Sequence, residues 1–172
     1  MTDTPEPLWG SAQLYDYFAA HGIEYERLDH PAVFTADEAA LLVPQARGAH
    51  AKNLFVEDRR SGQLFMVTVP FGVRVDLART AAMLEAKKLQ FASADLMLAT
   101  LGVTPGAVSM LALVNDRAHR VSLVIEASLW EAEAIQCHPL ENTATLVIAR
   151  ENIARFLDSI GHTPSLLALP FR

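Results

Sequence analysis

The stretch Ala51-Lys52-Asn53-Leu54-Phe55-Val56-Glu57-Asp58 places one lysine and one amide before an apolar run that ends in two acids. The run Leu54 to Val56 predicts a short strand buried on both faces, because continuous apolar residues suit a strand covered by helices. Lys52 and Asn53 would then lie at the start of this strand. An ammonium at the edge of a core loses hydration and needs a partner, either a carboxylate such as the two that follow or a bound anion.

The composition is that of an ordinary globular protein. The 172 residues are 51% hydrophobic and 20% charged, and a chain of this length can form a core of its own. No apolar run approaches the roughly 18 residues of a membrane-spanning helix. We expect residues 1–10 to be an acidic, proline-rich tail and residues 11–172 to be one α/β domain. The tail is typical of neither a signal nor a transit peptide, so we expect the protein in the cytoplasm, with no membrane partner.

Cysteine and histidine usage argues against disulfide and metal chemistry. The single cysteine, Cys137, cannot form an internal disulfide, and none of the six histidines has the spacing that places two on one helical face. On a strand, Cys137 and His138 would point to opposite faces and could not form a thiol-imidazole pair. We therefore expect no metal and no cofactor, with Cys137 in the core.

Charge is distributed unevenly along the chain. The net charge is -6, yet residues 45–90 carry eight basic and four acidic side chains, which leaves this segment at +4 and the remainder at -10. A basic region of this kind can dock a short stretch of nucleic acid while the acidic remainder repels it. Chance clustering on solvated faces is the alternative.

Periodicity and turn residues predict a mixed sheet with helices packed on it. The predicted helices are 8–21, 35–43, 76–87, 93–101, 129–132 and 151–160. The predicted strands are 23–29, 54–56, 64–69, 111–114, 121–125, 135–138 and 144–148. Two pairs of these strands, joined through Gly62 and through Asn115-Asp116, are predicted to form hairpins.

The least regular stretch is Gly102-Val103-Thr104-Pro105-Gly106-Ala107-Val108-Ser109. Its glycines and proline favour a backbone that approaches a ligand closely and offers it amides or carbonyls. A plain connecting loop is the alternative.

Several segments together resemble one family. They are His30-Pro31-Ala32-Val33-Phe34-Thr35, Lys52-Asn53-Leu54-Phe55, Leu101 to Ser109, Asn115-Asp116 and His138-Pro139-Leu140-Glu141-Asn142-Thr143-Ala144-Thr145. In this order, across about residues 11–161, they resemble the YbaK/ProX family, the free-standing relatives of the editing domain inserted in bacterial prolyl-tRNA synthetases. Each motif is weak alone, and their joint order is specific.

The resemblance implies a mixed-sheet α/β editing domain that hydrolyses the ester of mischarged tRNA(Pro) without a metal. The GVTPG and HPLxNxAT segments are most similar to the ProX branch, which is associated with alanyl-tRNA(Pro), whereas the YbaK branch is associated with cysteinyl-tRNA(Pro). Cysteinyl or broader specificity, a non-catalytic tRNA-binding module and a small-molecule binder remain open. The expected partner is the acceptor end of mischarged tRNA(Pro), and recruitment by prolyl-tRNA synthetase is left open.

The resemblance also assigns site residues. The functional lysine of the family falls on Lys52, with Asn53 beside it, and its pocket histidine falls on His138. Its substrate loop falls on Gly106, Ala107, Val108, Ser109 and Met110. Many relatives have a proline where this chain has Met110, so the rigidity of the loop is in question.

Our hypothesis gives these groups separate roles. Lys52 anchors a phosphate of the RNA 3′ end or neutralises transition-state charge, Asn53 and the loop backbone orient ester and water, and His138 contacts the amino acid. Further residues are expected to line the substrate pocket, although a place in the core is favoured for the first of them: Val33, Phe34, Thr35 and Met110. Cationic side chains are expected to contact the acceptor stem: Arg47, Arg74, Arg79, Lys87 and Lys88.

Overall fold

The computed structural model describes residues 4–172, in which helices pack on an eight-stranded mixed sheet. The α-helices are α1 Ser11–His21, α2 Ala36–Leu42, α3 Leu77–Met83, α4 Ala94–Leu101, α5 Ala127–Trp130 and α6 Arg150–Ser159. The strands are β1 Glu26–Asp29, β2 Ala49–Asp58, β3 Leu64–Pro70, β4 Leu89–Phe91, β5 Val121–Glu126, β6 Ala134–Cys137, β7 Ala144–Ala149 and β8 Ser165–Leu167. Two 3-10 helices span Pro105–Ala107 and Met110–Asn115. No helix of this described part is long and apolar enough to cross a membrane.

The sheet has the order β1-β7-β6-β2-β3-β5-β8, with β4 also paired to β2. Antiparallel pairs join β1 to β7, β7 to β6 and β2 to β3, while β6 is parallel to β2 and β5 is parallel to β3 and β8. The predicted mixed α/β fold is therefore confirmed.

One edge of β2 changes partner along its length. On one side, β3 pairs with residues 51–57 of β2. On the other side, β6 pairs only at residues 49–50 and β4 only at residues 56–58. The middle of β2 thus has an open edge between the end of β6 and the start of β4.

The two faces of β2 pack against two different hydrophobic clusters. Phe55 packs in the larger cluster with Met66 of β3, beneath α1 and α6. Val56 packs in the smaller cluster with Val67 and Val124. This alternation follows from the period of two in a strand, so consecutive residues of β2 face different environments.

Local signals predict several element ends correctly. Gly22 ends α1 in the left-handed conformation, as predicted. The predicted Thr35 cap is confirmed, since its hydroxyl accepts from the Glu38 N–H at 3.1 Å. Ser93 caps α4 in the same way, and Gly62 supplies a φ of 77° in the turn between β2 and β3.

The predicted hairpin of 111–114 with 121–125 is wrong. Residues 110–115 form a fully buried 3-10 helix, and β5 pairs in parallel with β3. A short continuous apolar run suits a buried helix as well as a buried strand, and tertiary contacts decide between them. Here the side chain of Asn115 donates to the Leu101 carbonyl at 2.8 Å, which ties the end of the 3-10 helix to α4.

Other element bounds also differ from prediction. The strand predicted at Leu54 begins at Ala49, so Lys52 and Asn53 lie inside β2 rather than at its start. The helix predicted to reach Lys87 ends at Met83. The short strand β8 has no counterpart among the predicted strands.

The segment before α1 packs against the domain. The Trp9 N–H donates to Asn115 Oδ1 at 2.6 Å, and the Arg117 guanidinium donates to the Glu6 and Pro7 carbonyls at 3.1 Å each. Residues 1–3 of the tail predicted over residues 1–10 lie outside the described residues. The division into tail and domain stays a prediction.

Gly48, immediately before β2, is expected to be intolerant of a side chain. Its φ is 87°, and a Cβ there would lie 2.7 Å from the Ala134 carbonyl oxygen of β6. We predict that Gly48→Ala lowers the free energy of unfolding by about 2 kcal/mol or more, through backbone strain plus displacement of β6.

Gly62→Ala is the matched control, because Gly62 has a φ of 77° but a Cβ there would have no neighbouring atom within 4 Å. Its cost is expected at about 1 kcal/mol from strain alone. Urea unfolding of both variants measures the difference, and equal losses would contradict a close approach between Gly48 and β6.

Candidate active site

A cleft of about 280 Å³ lies at the open edge of β2. It brings together eight of the residues predicted for the site: Val33, Phe34, Thr35, Lys52, Asn53, Gly106, Val108 and His138. These residues come from the segment before α2, from β2, from the first 3-10 helix and its C-terminal end, and from the residue after β6. The cleft is thus assembled from four separate parts of the chain.

Lys52 and Asn53 enter the cleft from opposite faces of β2. They are consecutive residues whose partners on β3 are Val69 and Thr68, so their side chains alternate across the strand. Both can line one cleft because, in the part of the chain that the structure describes, no neighbouring strand covers this edge of β2.

The Lys52 ammonium is half-buried and donates a hydrogen bond to the Val73 carbonyl. Burial lowers the pKa of Lys52. In residues 4–172 no ion pair includes Lys52. An ammonium has three donors, so two remain for a ligand in the cleft.

The acids that follow Lys52 in sequence have other partners. Glu57 accepts from the Gln90 side-chain amide at 2.8 Å. Asp58 accepts from the backbone N–H of Lys88 at 3.0 Å, and also from Lys87 and Arg60, which holds the pKa of the Asp58 carboxyl well below its usual range. The structural ion pair considered for Lys52 with these acids is therefore not formed.

The Asn53 side chain is held in one orientation. Its Oδ1 accepts from the Thr68 hydroxyl at 2.8 Å and from the Met110 backbone N–H at 3.1 Å. A backbone N–H can only donate, so the amide atom that faces Met110 must be the oxygen. The Nδ2 donors of Asn53 are left for the cleft.

The backbone of Asn53 also faces the open edge. The His50 carbonyl accepts from Phe71 on the β3 side, whereas the Phe55 carbonyl accepts from Ala92 on the other side. Along an antiparallel strand, successive residues direct their backbone N–H and carbonyl groups to opposite sides. Asn53, two residues before Phe55, therefore directs its N–H and carbonyl to the same side as Phe55. Between β6 and β4 this direction is the cleft.

His138 presents a neutral imidazole. Its Nδ1 lies 3.0 Å from the Ala144 carbonyl, to which the Nδ1–H donates, and Nε2 is then the acceptor. Burial lowers the pKa of His138 and outweighs the opposing effect of the hydrogen bond to the Ala144 carbonyl, and His30, whose ring centre lies 6.3 Å away, has a smaller lowering effect. At neutral pH the side chain can therefore accept a hydrogen bond from a cationic group without repelling it.

Gly106 lies against Phe34 and Asn142. A Cβ on Gly106 would lie 3.2 Å from Asn142 Nδ2 and 3.4 Å from Phe34 Cδ1, and Asn142 in turn donates to the Val33 carbonyl at 3.3 Å. Phe34 itself is 75% exposed at the rim. A side chain at position 106 would press on these two groups, because the loop approaches the His30–Thr35 segment closely.

Three predicted loop residues do not line the cleft. Ala107, Ser109 and Met110 are buried. The Ser109 hydroxyl caps the second 3-10 helix by accepting a hydrogen bond from the Leu111 N–H. The Met110 N–H donates a hydrogen bond to Asn53 Oδ1. These two hydrogen bonds of Ser109 and Met110 hold the loop in place.

The five predicted cations are spread over the surface rather than gathered at the cleft. Arg47 pairs with Glu26 at 3.0 Å and Glu133 at 3.7 Å. Arg74 lines a smaller pocket that also includes Lys52. The other three have exposed side chains: Arg79, Lys87 and Lys88.

Some residues of the cleft were missed from the sequence. His50 lines it and stacks on Phe71 with ring centres 4.3 Å apart, and Thr68 orients Asn53. His50 shares a strand face with Lys52, so alternation could have found it had β2 been predicted to start at Ala49. Thr68 and Phe71 depend on the register of β2 with β3, which no local pattern encodes.

The structure is an α/β domain with a ligand-sized cleft. A half-buried lysine, Lys52, an oriented amide, Asn53, and a neutral histidine, His138, line this cleft. The chain matches the family described as aminoacyl-tRNA editing domain over residues 30–156. It is 33% identical over 158 residues to prolyl-tRNA synthetase associated domain-containing protein 1 of Danio rerio. This match covers 91% of this chain and 85% of the relative. It is 29% identical over 141 residues to the prolyl-tRNA editing protein ProX of Acetoanaerobium sticklandii. This match covers 82% of this chain and 86% of the relative.

Solved structures share the fold at low identity. A hypothetical protein, APE2540, has a TM-score of 0.68 at 18% identity, over 90% of this chain and 97% of the other. A candidate trans-editing enzyme for prolyl tRNA synthetase has a TM-score of 0.63 at 15% identity, over 94% of this chain and 98% of the other. The chain belongs to the aminoacyl-tRNA editing domain family, and the resemblance to YbaK/ProX proteins is confirmed.

Substitution of Asn53 separates its structural role from its role in the cleft. We predict that Asn53→Ala lowers the free energy of unfolding by about 2 kcal/mol or more, because the buried Thr68 hydroxyl and Met110 N–H lose their acceptor. Asn53→Asp keeps an acceptor for both groups and should cost less stability, while it removes the Nδ2 donors. Thermal and urea unfolding of both variants measure this, and equal destabilisation would argue against the two hydrogen bonds to Oδ1.

Proposed function

We propose that this protein deacylates mischarged aminoacyl-tRNA, with alanyl-tRNA(Pro) as substrate, by ester hydrolysis that uses no metal. The observation that carries the proposal is the meeting of Lys52, the free Asn53 donors and His138 at one cleft. An aminoacyl ester is already activated, so the enzyme needs to position it with a water and to stabilise the developing oxyanion. Such a reaction requires no protein nucleophile.

Lys52 supplies positive charge to the cleft. Its ammonium is anchored on the Val73 carbonyl, so its position is fixed before substrate binds. A half-buried charge interacts more strongly with an anion than an exposed one does, because less water screens it. We assign Lys52 to the phosphate of the terminal adenosine or to charge that develops in the transition state.

The donors of Asn53 suit an oxyanion. The side-chain Nδ2 and the backbone N–H both belong to a residue that two hydrogen bonds and the pairing with β3 hold in place. Preorganised donors stabilise developing charge without reorganising during the reaction. The Gly106 to Val108 backbone would hold the ester against them, and a hydroxyl of the substrate ribose would assist the water.

His138 would recognise the aminoacyl group. The α-ammonium of the substrate can donate to the Nε2 of the neutral ring, and a charged imidazole would repel it. The low pKa that burial gives His138 therefore favours binding at neutral pH.

Walls of fixed volume would select small amino acids. Val33, Phe34 and Val108 line the cleft, and Gly106 leaves room only as long as it carries no side chain. A clash with a larger substrate can cost several kcal/mol, whereas a missing methylene costs only about 1 to 3 kcal/mol. A cleft sized for alanine would therefore spare correctly charged prolyl-tRNA.

The relatives support a tRNA(Pro) substrate. Two of them are named for prolyl-tRNA editing or for association with prolyl-tRNA synthetase. We extend to this chain the same tRNA and, as a further partner, prolyl-tRNA synthetase. The exposed cations Arg74, Arg79, Lys87 and Lys88 are proposed to contact the acceptor end. Arg47 is retained as a weaker candidate because two glutamates already pair with it.

Removal of the Lys52 ammonium should abolish most of the activity. We predict that Lys52→Ala lowers kcat/KM for alanyl-tRNA(Pro) by about 100-fold or more, the usual size of a lost electrostatic group at a reacting centre. Loss of the labelled ester in single-turnover assays measures the rate, and thermal unfolding checks that the variant is folded. A folded variant with near wild-type deacylation would reject the role of Lys52.

The substrate is tested with tRNA(Pro) charged separately with alanine, cysteine, serine and proline. We expect loss of the alanyl ester and survival of the prolyl ester. Preferred hydrolysis of the cysteinyl ester would place the protein with the YbaK branch, and binding without hydrolysis of any ester would make it a non-catalytic tRNA-binding module.

Affinity for tRNA should depend strongly on salt. Each phosphate contact contributes about 0.7 to 0.9 to the slope of log K against log salt, so we predict that Lys87→Gln with Lys88→Gln reduces the slope by about 1 to 2. Fluorescence titration of uncharged tRNA(Pro) at several salt concentrations measures it. An affinity that does not change between low and physiological salt would contradict the acceptor-end contacts.

A further inference from the structure

A second pocket of about 200 Å³ adjoins the cleft and shares Lys52 and Leu54 with it. Its other walls are Arg74, Val75, Leu77, Phe91 and Arg172. Lys52 and Leu54 lie on one face of β2, and Phe91 pairs with Val56 further along the strand, so the second pocket extends the cleft toward β4. Together they form a groove in which Lys52 stands at the boundary.

The walls of the second pocket carry positive charge. Arg74 and Arg172 line it, and none of the lining side chains is acidic. The two arginines lie on adjacent backbone segments, because the Arg172 N–H donates to the Arg74 carbonyl at 2.7 Å and Phe171 bridges to Val75. Guanidinium groups bind phosphate through paired donors, so this wall suits a phosphate group.

An exposed aromatic ring completes the pocket. Phe91 ends β4, opposite Val56 of β2, and is 62% exposed. An aromatic face beside cationic side chains is the arrangement by which proteins hold single-stranded nucleic acid, with the base on the ring and the phosphate on the cations.

The opposite end of the cleft has an exposed aromatic ring, Phe71, but lacks the positive charge. There the pocket behind His50 and Phe71 is lined by Gln45, Gln136 and small apolar residues, with no lysine or arginine. A strand of RNA that enters the cleft is therefore attracted from the side of Arg74 rather than from the side of Phe71.

We infer that the second pocket binds the nucleotide that precedes the aminoacylated adenosine, with its base on Phe91 and its phosphate at Arg74 and Arg172. The inference rests on the proposed function, since it requires an aminoacylated RNA end in the first cleft. Lys52, at the boundary, then contacts the phosphate that joins the two nucleotides. The pocket lets the enzyme bind its substrate through the single-stranded end as well as through the acceptor stem.

The test compares two minimal esters, alanyl-adenosine and the alanyl ester of the 5′-phosphorylated dinucleotide pCpA, which carries both the linking phosphate and the phosphate of the preceding nucleotide. Wild type is expected to show a higher kcat/KM for the dinucleotide, mainly through a lower KM. Phe91→Ala should lower kcat/KM for the dinucleotide by about 5-fold or more, the effect of one lost base stack, and leave alanyl-adenosine unchanged. Arg74→Gln should act in the same direction and reduce the salt slope for the dinucleotide by about 0.7.

Arg59→Gln is the matched control, because it removes the same charge from the exposed turn between β2 and β3. It should leave both esters unaffected, and equal effects of Arg59→Gln and Arg74→Gln would overturn the inference. Equal kcat/KM of wild type for the two esters would also overturn it, while the proposed function would stand.

A separate binding measurement covers the case in which no ester is hydrolysed, which would reject the proposed function. Uncharged CpCpA is titrated into the protein, with NMR shifts followed at β4 and at residues 74 and 172. Binding that is weakened by Phe91→Ala and Arg74→Gln, but not by Arg59→Gln, supports the second pocket. Absence of shifts at these residues overturns it.

Discussion

The change of strand partner along one edge of β2 is the constraint on which the site depends. Backbone N–H and carbonyl groups in a sheet interior are normally paired, because an unpaired buried group is costly. Between the last residue paired with β6 and the first paired with β4, no strand of the described residues 4–172 lies beside this edge of β2. The gap stays accessible as a cleft, and a ligand can use the polar groups that a neighbouring strand would otherwise have taken.

The hydrogen bonds of Asn53 connect this gap to the loop that covers it. One amide oxygen accepts from β3 through Thr68 and from the second 3-10 helix through Met110. A buried polar network in which each member is satisfied specifies a single arrangement, and one missing member is expensive. The Met110 N–H is held by this hydrogen bond, so the loop is positioned by a contact outside its own sequence.

Electrostatics in the cleft arise from burial more than from ion pairs. Burial lowers the pKa of both Lys52 and His138, yet the two groups respond differently at neutral pH because their ordinary pKa values differ by several units. The lysine keeps its charge and the histidine loses it. The net charge of -6 is thus compatible with a local cationic groove, since potentials near a cleft depend on the nearest charges.

The sequence by itself determined the C-terminal end of α1, the ends of α2 and α4, the turn at Gly62 and the mixed α/β character, because caps, turns and periodicity act over a few residues. Its motifs also identified Lys52, Asn53, Gly106 and His138 as one group. Only the tertiary structure decided that residues 110–115 form a helix rather than a strand, and that Ser109 and Met110 support the cleft from behind. The physical reason is distance along the chain: Asn53 meets Met110 across 57 residues, and the open edge of β2 exists only once three other strands have paired with it.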